Sequence, residues 1–188
     1  MNEMQNALNL LKSDDPDVRE LALDHIGTLK PPNALEIILP FLQDENDEVR
    51  GTAACNVGEI HDQRAVGHLI DMLGGEKSRK VRAEILRSLG EYHSSDIFQC
   101  LLKECERNDV HRSAKNEIAR QLRNYDNPES IGVLQQFLVH EDDPYVRINA
   151  VDSLLYLNRA SLQPFWERLS EDGHPYVRTI AHQALASL

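Results

Sequence analysis

The chain has 188 residues, of which 41% are hydrophobic, 5% aromatic and 27% charged, a balance that suits an Ala-, Leu- and Glu-rich helical protein better than a β-sandwich. Its formal net charge of −11 repels nucleic acid unless basic residues gather on one face, so no nucleic-acid partner is expected. Met1–Asn6 lacks the regions of a signal peptide, and no stretch approaches the roughly eighteen apolar residues of a membrane span, so the expectation is a cytoplasmic protein with no membrane partner.

The first apolar-periodic segment is Asn6–Lys12, followed by Asp15-Pro16 and a helix carrying Val18-Arg19, Ala22, Ile26 and Gly27. Asn33–Gln43 comes next, with Pro40 removing an internal hydrogen bond and bending it. Asn46 then opens a helix with Val49-Arg50, Ala53, Val57 and Gly58. Arg64–Leu73 leads to Ser78 and a helix with Val81-Arg82, Ile85, Leu89 and Gly90. Asp96–Glu106 precedes a relic copy, Val110-His111 with Ala114 and Ile118, where Lys115 intrudes beside the stripe and the flanking spacings become 29 and 36. A local irregularity in curvature is expected there. Glu129–Val139 precedes "DPYVR" at Asp143–Arg147, with Ala150 and Leu154 behind it. Leu162–Leu169, with Trp166 as a core anchor, precedes "HPYVR" at His174–Arg178, with Ala181 and Leu185.

The chain therefore alternates two kinds of helix six times. Counted from each arginine, apolar or small residues recur at −1, +3, +7 and +10, one face of a 3.6-period helix. Asp15, Asn46, Ser78, Asp143 and His174 stand at N-cap positions, three of them before a proline whose missing N–H costs nothing in the first turn. Gly27, Gly58 and Gly90, each eight residues past its arginine, permit close approach of helices. One helix pair cannot bury enough apolar area to offset its conformational entropy, at about 1.5 kcal/mol per ordered residue, so the pairs must stack. Valine then enters the shared core, and arginine reaches toward the acidic turn of its own or an adjacent layer.

The pattern D-x-x-V-R-x-x-A-x-x-x-L, with Asp14, Asp47 and Asp143 near their arginines, resembles HEAT repeats, in particular the short type of phycobilisome lyases. The resemblance implies an all-α, right-handed α-solenoid of about six two-helix repeats, a single domain over 1–188 divided near 3–31, 32–62, 63–94, 95–125, 126–159 and 160–188. It also implies that the Val-Arg helices line the concave side. Offsets +2, +5 and +9 point away from the core and hold Thr52, Glu84 and Asn149, then Cys55, Arg87, Asn116 and Asp152, then Glu59, Glu91, Arg120 and Tyr156. The expected function is a non-enzymatic scaffold holding a partner protein through Glu59, Arg87, Glu91, Asn116, Arg120, Asp152 and Tyr156. Two alternatives follow from the resemblance: a phycobilin lyase subunit or phycobilisome assembly or degradation factor, and a metal-dependent hydroxylase of HEAT-like architecture.

Little else points to chemistry, and no catalytic residue, cofactor or metal is expected. Two copies of Gly-Glu-x-His place Glu59 and His61, then Glu91 and His93, in adjacent layers, but side chains two apart on a helix diverge. "GGEKSRKVR" at Gly74–Arg82 gathers Lys77, Arg79, Lys80 and Arg82 at a helix N-terminus without the spacing of a P-loop. Cys55, Cys100 and Cys105 show neither a metal spacing nor an even disulfide framework, and Cys55 alone points toward the groove. Tyr145, Tyr156 and Tyr176 combine apolar area with a polar handle, as interface residues do. At the C-terminal end, Ile180, Ala184 and Leu188 are expected to leave apolar surface uncovered, an expected self-association contact.

Overall fold

The computed structural model describes residues 3–107, 109–157 and 159–188; Met1, Asn2, Asn108 and Asn158 lie outside the described residues. Among the described residues there are twelve α-helices and no strand, in two compact units, Met1–Arg107 and Asn108–Leu188. The first unit contains α1 (Glu3–Leu10), α2 (Pro16–Leu29), α3 (Ala34–Ile38), α4 (Asp47–Ile60), α5 (Ala65–Gly75), α6 (Arg79–Leu89) and α7 (Ser95–Cys105). The second contains α8 (Arg112–Leu122), α9 (Pro128–His140), α10 (Pro144–Leu157), α11 (Gln163–Leu169) and α12 (Pro175–Ala186). The even-numbered helices carry the Val-Arg copies, and the odd-numbered ones are the segments between them. This is an α-solenoid. Pro40 ends α3 at Ile38, and the chain continues as a 3-10 segment over Leu39–Gln43, a sharper break than a bend.

Capping follows the sequence where the side chain is a good acceptor. Asp15 accepts from the Asp17 amide, Asn46 from Glu48 and Val49, and Asp143 from Tyr145 and Val146. Ser78 and His174 stand at N-caps without a side-chain cap bond; the Ser78 hydroxyl instead donates to Asp47 on α4 at 3.0 Å. In the core, Val49, Val81, Val146 and Val177 are buried, together with Ala22, Ile26, Ala53, Val57, Ile85, Leu89, Ala114, Ile118, Ala150, Leu154 and Ala181. Val18 and Val110 are half-buried. Trp166 is fully buried. Ile180 and Ala184 are buried as well, and only Leu188 of the three C-terminal apolar residues is exposed. The expected apolar end is therefore absent at those two positions; α10 and α11 both pack against α12.

Within each unit the even-numbered helices pack on one another, α2 on α4 on α6, and α8 on α10 on α12. The small residue eight places past the arginine makes this approach close. A Cβ on Gly27 would meet the Asn56 side chain, and one on Gly58 would stand 2.7 Å from the Ser88 Cβ and 2.9 Å from its Cα. In the second unit Ala119 fills the same slot, and its carbonyl accepts from the Ser153 hydroxyl at 2.7 Å. Asn56, Ser88 and Ser153 all stand six residues past their own arginine. In the first unit the odd-numbered elements are less intimate, leaving clefts of about 440 Å³ between the Leu39–Gln43 segment and α5 and about 550 Å³ between α5 and α7.

The arginines form a ladder at the turns. Arg19 donates to Asp44 at 2.9 and 2.8 Å and to the Ser13 and Asp14 carbonyls. Arg50 repeats this with Glu76 at 2.8 and 3.0 Å and with the Asp44 and Glu45 carbonyls. Arg82 binds Glu104 and the Leu73 and Glu76 carbonyls. Arg147 binds Asp172 and the Leu138 carbonyl, while Arg178 holds only the Asp172 and Gly173 carbonyls. Each rung but that of Arg178 thus fastens its own turn and, through a carboxylate, the turn of the next layer. Asp14, Asp47 and Asp143 are not these carboxylates; the partners Asp44, Glu76 and Asp172 stand six residues before the following arginine. In the fourth copy His111 caps α8 through Nδ1, and Lys115 takes the rung by binding Glu141 at 2.5 Å. The apparent intrusion is a substitute.

These rungs set the charge state of the carboxylates. Burial opposes ionisation of Asp44, but the Arg19 guanidinium, the Asn46 amide and the field of Arg19 and Arg50 outweigh it and hold its pKa below the usual range. Glu76 is likewise held low against burial by Arg50 and the Ser78 and Lys77 amides, and Asp172 by Arg147 and the His174 amide.

Candidate functional site

The core stripe of each even-numbered helix turns inward, which leaves a second stripe exposed or half-buried. It runs through offsets −2, +2, +5 and +9, all within about 60° of arc on a 3.6-period helix. In the first unit it reads Glu48, Thr52, Cys55 and Glu59 on α4, then Lys80, Glu84 and Arg87 on α6 with Glu91 in the turn that follows it. In the second it reads Ser113, Asn116 and Arg120 on α8, then Tyr145, Asn149, Asp152 and Tyr156 on α10; on α12 only Tyr176 and Gln183 belong to it, because Ile180 at +2 is buried. The −2 position is the one that helical phase had not singled out.

In the first unit, Arg87 is exposed, pairs with Glu84 and donates to Cys55 Sγ at 3.1 Å. Lys80 pairs with Glu48, and Thr52 donates to Glu20 at 3.0 Å. These groups, with Asp24 and Asp47, line a cleft of about 220 Å³. Glu59 and Glu91 are exposed. Cys55 does face this cleft, but burial, reinforced by Glu59 and Glu84, raises its pKa despite Arg87. The thiol is therefore a weak nucleophile at neutral pH. Cys100 is likewise pushed up, chiefly by burial.

In the second unit, the Asn149 side-chain amide donates to Asn116 Oδ1 at 3.0 Å. Tyr176 donates its hydroxyl to Asp152 at 2.9 Å, and that bond raises the Tyr176 pKa. Arg123 lies 5.6 Å from the centroid of the Tyr156 ring, and Arg120 pairs with Glu117 at 3.4 Å. Tyr145, Tyr156 and Tyr176 are 66%, 71% and 41% exposed. The seven residues singled out by helical phase thus fall three in one unit (Glu59, Arg87, Glu91) and four in the other (Asn116, Arg120, Asp152, Tyr156). Most of them already hold a neighbour on the same or the next helix.

The other chemical candidates do not assemble. Among the described residues no three His, Cys, Asp or Glu side chains converge to hold a metal, so Glu59, His61, Glu91 and His93 form no common ligand set. His61 closes α4 in the left-handed conformation at φ 56°. The basic run at Gly74–Arg82 is divided: Arg82 is buried in the ladder and Lys80 pairs with Glu48, while Lys77 and Arg79 are exposed. No helix among the described residues is long and apolar enough to cross a membrane.

No curated protein is significantly similar in sequence. Among solved structures, the chain is similar to the complex of CpcE and CpcF of phycocyanin lyase from Nostoc sp. PCC7120, with a TM-score of 0.70 at 19% identity over 98% of this chain and 76% of that one. It is similar to an engineered protein with a TM-score of 0.69 at 21% identity over 99% and 98% of the two chains. It is also similar to computationally designed armadillo repeat proteins for modular peptide recognition, with a TM-score of 0.64 at 17% identity over 99% and 100%. At these identities the likeness is one of fold. The HEAT repeats family matches residues 4–90, 68–154 and 99–186. Those matches span nearly the whole sequence and agree with the layered helix pairs, and the chain belongs to the HEAT-repeat family.

Proposed function

We propose that this HEAT-repeat chain is a non-enzymatic scaffold that holds a partner protein against the exposed stripe of its even-numbered helices. The observation that supports it is the stripe itself, a row of charged, amide and tyrosine side chains, several of them held by bonds to the same or the neighbouring helix. Side chains so held lose little further entropy when a partner docks. The designed armadillo repeat proteins for peptide recognition share the fold and use it for binding.

The test is affinity capture from the source lysate with the wild-type chain, an Arg87→Glu/Arg120→Glu variant and a control reversal of exposed Glu129 on α9. The reading expects a specific prey lost with the double variant and kept with the control. Equal retention by all three would reject this face.

A second reading rests on the fold shared with the phycocyanin lyase complex, and makes the chain a lyase subunit or a phycobilisome assembly or degradation factor. Mixing with phycocyanin or its bilin should then shift the visible absorption spectrum; an unchanged spectrum removes this reading.

A further inference from the structure

We infer that Arg178 is a docking point for an acidic turn of a partner protein, a contact separate from the exposed stripe. The ladder shows what such an arginine holds. In Arg19 and Arg50, Nη1 donates to two carbonyls of the arginine's own turn, at 2.9 and 3.1 Å and at 2.8 and 3.1 Å. The opposite edge, Nε and Nη2, grips both oxygens of one carboxylate from the next layer, Asp44 for Arg19 and Glu76 for Arg50, and Arg82 grips Glu104 in the same way. Arg178 has only the first half of this arrangement. Its Nη1 donates to the Asp172 and Gly173 carbonyls at 2.6 and 3.1 Å, while the Asp172 carboxylate binds Arg147 instead. No carboxylate among the described residues meets the Nε and Nη2 edge of Arg178. The guanidinium is thus oriented by its own turn before any ligand arrives, with the fork that matches a carboxylate left open.

Charge selects the class of ligand. The chain has a formal net charge of −11, yet α12 contains Arg178 and His182 and no aspartate or glutamate. His182 lies four residues after Arg178, hence on the same side of the helix, and Thr179, His182 and Ala186 are all exposed. This side is complementary to an anion. The carboxylates that fit the other rungs are themselves held by their turns: Asp44 accepts from the Asn46 amide at 2.9 Å and Asp172 from the His174 amide at 2.8 Å. A matching ligand therefore presents an aspartate from a turn that opens a helix.

A second copy of this chain does not supply that turn. Asp44, Glu76 and Asp172 stand six residues before an arginine, and the counterpart before Arg19 is Ser13, whose hydroxyl accepts from the Asp15 amide. A copy stacked in the register of the ladder would bring a hydroxyl where a carboxylate is needed. The position four past the arginine argues the same way. On α2, α4 and α10, each with the next even-numbered helix packed against it, that position is the buried Leu23, Ala54 or Val151. On α12 it is the exposed, polar His182. The occupant is accordingly an acidic turn of a different protein.

The test is titration of the ¹⁵N-labelled full chain, at low salt and pH 7, with an end-capped peptide Leu-Gln-Asp-Gly-Asn-Pro and with its analogue Leu-Gln-Asn-Gly-Asn-Pro. The signals read are the Arg178 side-chain Nε–H and the backbone amides at the start of α12. The expected result is a saturable shift of both with the aspartate peptide alone, and loss of the amide shifts in Arg178→Met. His182→Glu, at an exposed position, offers Arg178 a carboxylate one turn away and should weaken the peptide about twofold. Circular dichroism checks that both variants keep the fold. Absence of a saturable shift, an equal response to the asparagine peptide, or an undiminished response in Arg178→Met would overturn the inference. So would movement of the Arg178 signal on concentrating the chain alone, with a rise in mass by light scattering, which would assign the edge to a second copy. Each of these failures leaves the scaffold reading standing, because that reading is tested at Arg87 and Arg120.

Discussion

Arg82 and Glu104 are 6% and 4% exposed, so each charge depends on the other for what water would have supplied. Removing one partner leaves a buried charge uncompensated, and Glu104→Met is expected to destabilise the chain by about 3–5 kcal/mol in urea unfolding. Arg178→Met, at a rung that holds only carbonyls, should cost less. The glycines offer a pair with opposite signs. Gly58→Ala forces a Cβ against the Ser88 backbone and should cost about 1–3 kcal/mol. Gly74→Ala adds a Cβ to open space inside α5 and should gain about 0.5–1 kcal/mol. The sequence showed that Gly58 recurs at a fixed distance from its arginine; that Ser88 presses on it required the neighbouring helix to be in place.

Between elements, the ladder makes stability depend on pH. Asp44, Glu76 and Asp172 have folded pKa values below those of the unfolded chain, which lie at about 4. Their contribution is complete above that value and is lost as pH falls through the depressed folded pKa values, because the unfolded chain takes up protons first. The urea midpoint should therefore fall as pH drops below about 4. Asp44→Asn should lower it clearly at pH 6 and much less at pH 2, and an equal loss at both would remove this origin for the acid effect. The fourth copy tests the rung itself. Lys115→Met should lower the midpoint by freeing Glu141, and adding His111→Arg should recover part of the loss by restoring the guanidinium used in other copies.

At the scale of the whole molecule, a layered chain shares its stability chiefly between nearest neighbours. Arg50→Met should then weaken hydrogen-exchange protection most in α4 and α5 and least in α12, whereas a uniform loss would indicate a single cooperative core. The layering itself was legible in the sequence. Helix number, helix type, the buried valines and most caps follow from 3.6-residue periodicity and N-cap chemistry, which are local and written along the chain. Pro40 was legible as a disturbance, though its result, a 3-10 continuation, depended on how the next turn packed. The exposed stripe was legible in phase, but several side chains on it were separated from their partners by a layer of sequence: Asn116 from Asn149, Asp152 from Tyr176, Cys55 from Arg87. That the arginines reach the turn of an adjacent layer was expected from the sequence, but which carboxylate each one meets, 22 to 26 residues beyond it, was not legible for the same reason. By itself, then, the sequence determined which helices form and which face each one buries, because those choices depend on neighbours within a turn or two. Only the tertiary structure decided which side chains on successive helices meet, because the register between layers is set by close approach at the small residues and by the arginine rungs, and neither exists until the layers have stacked.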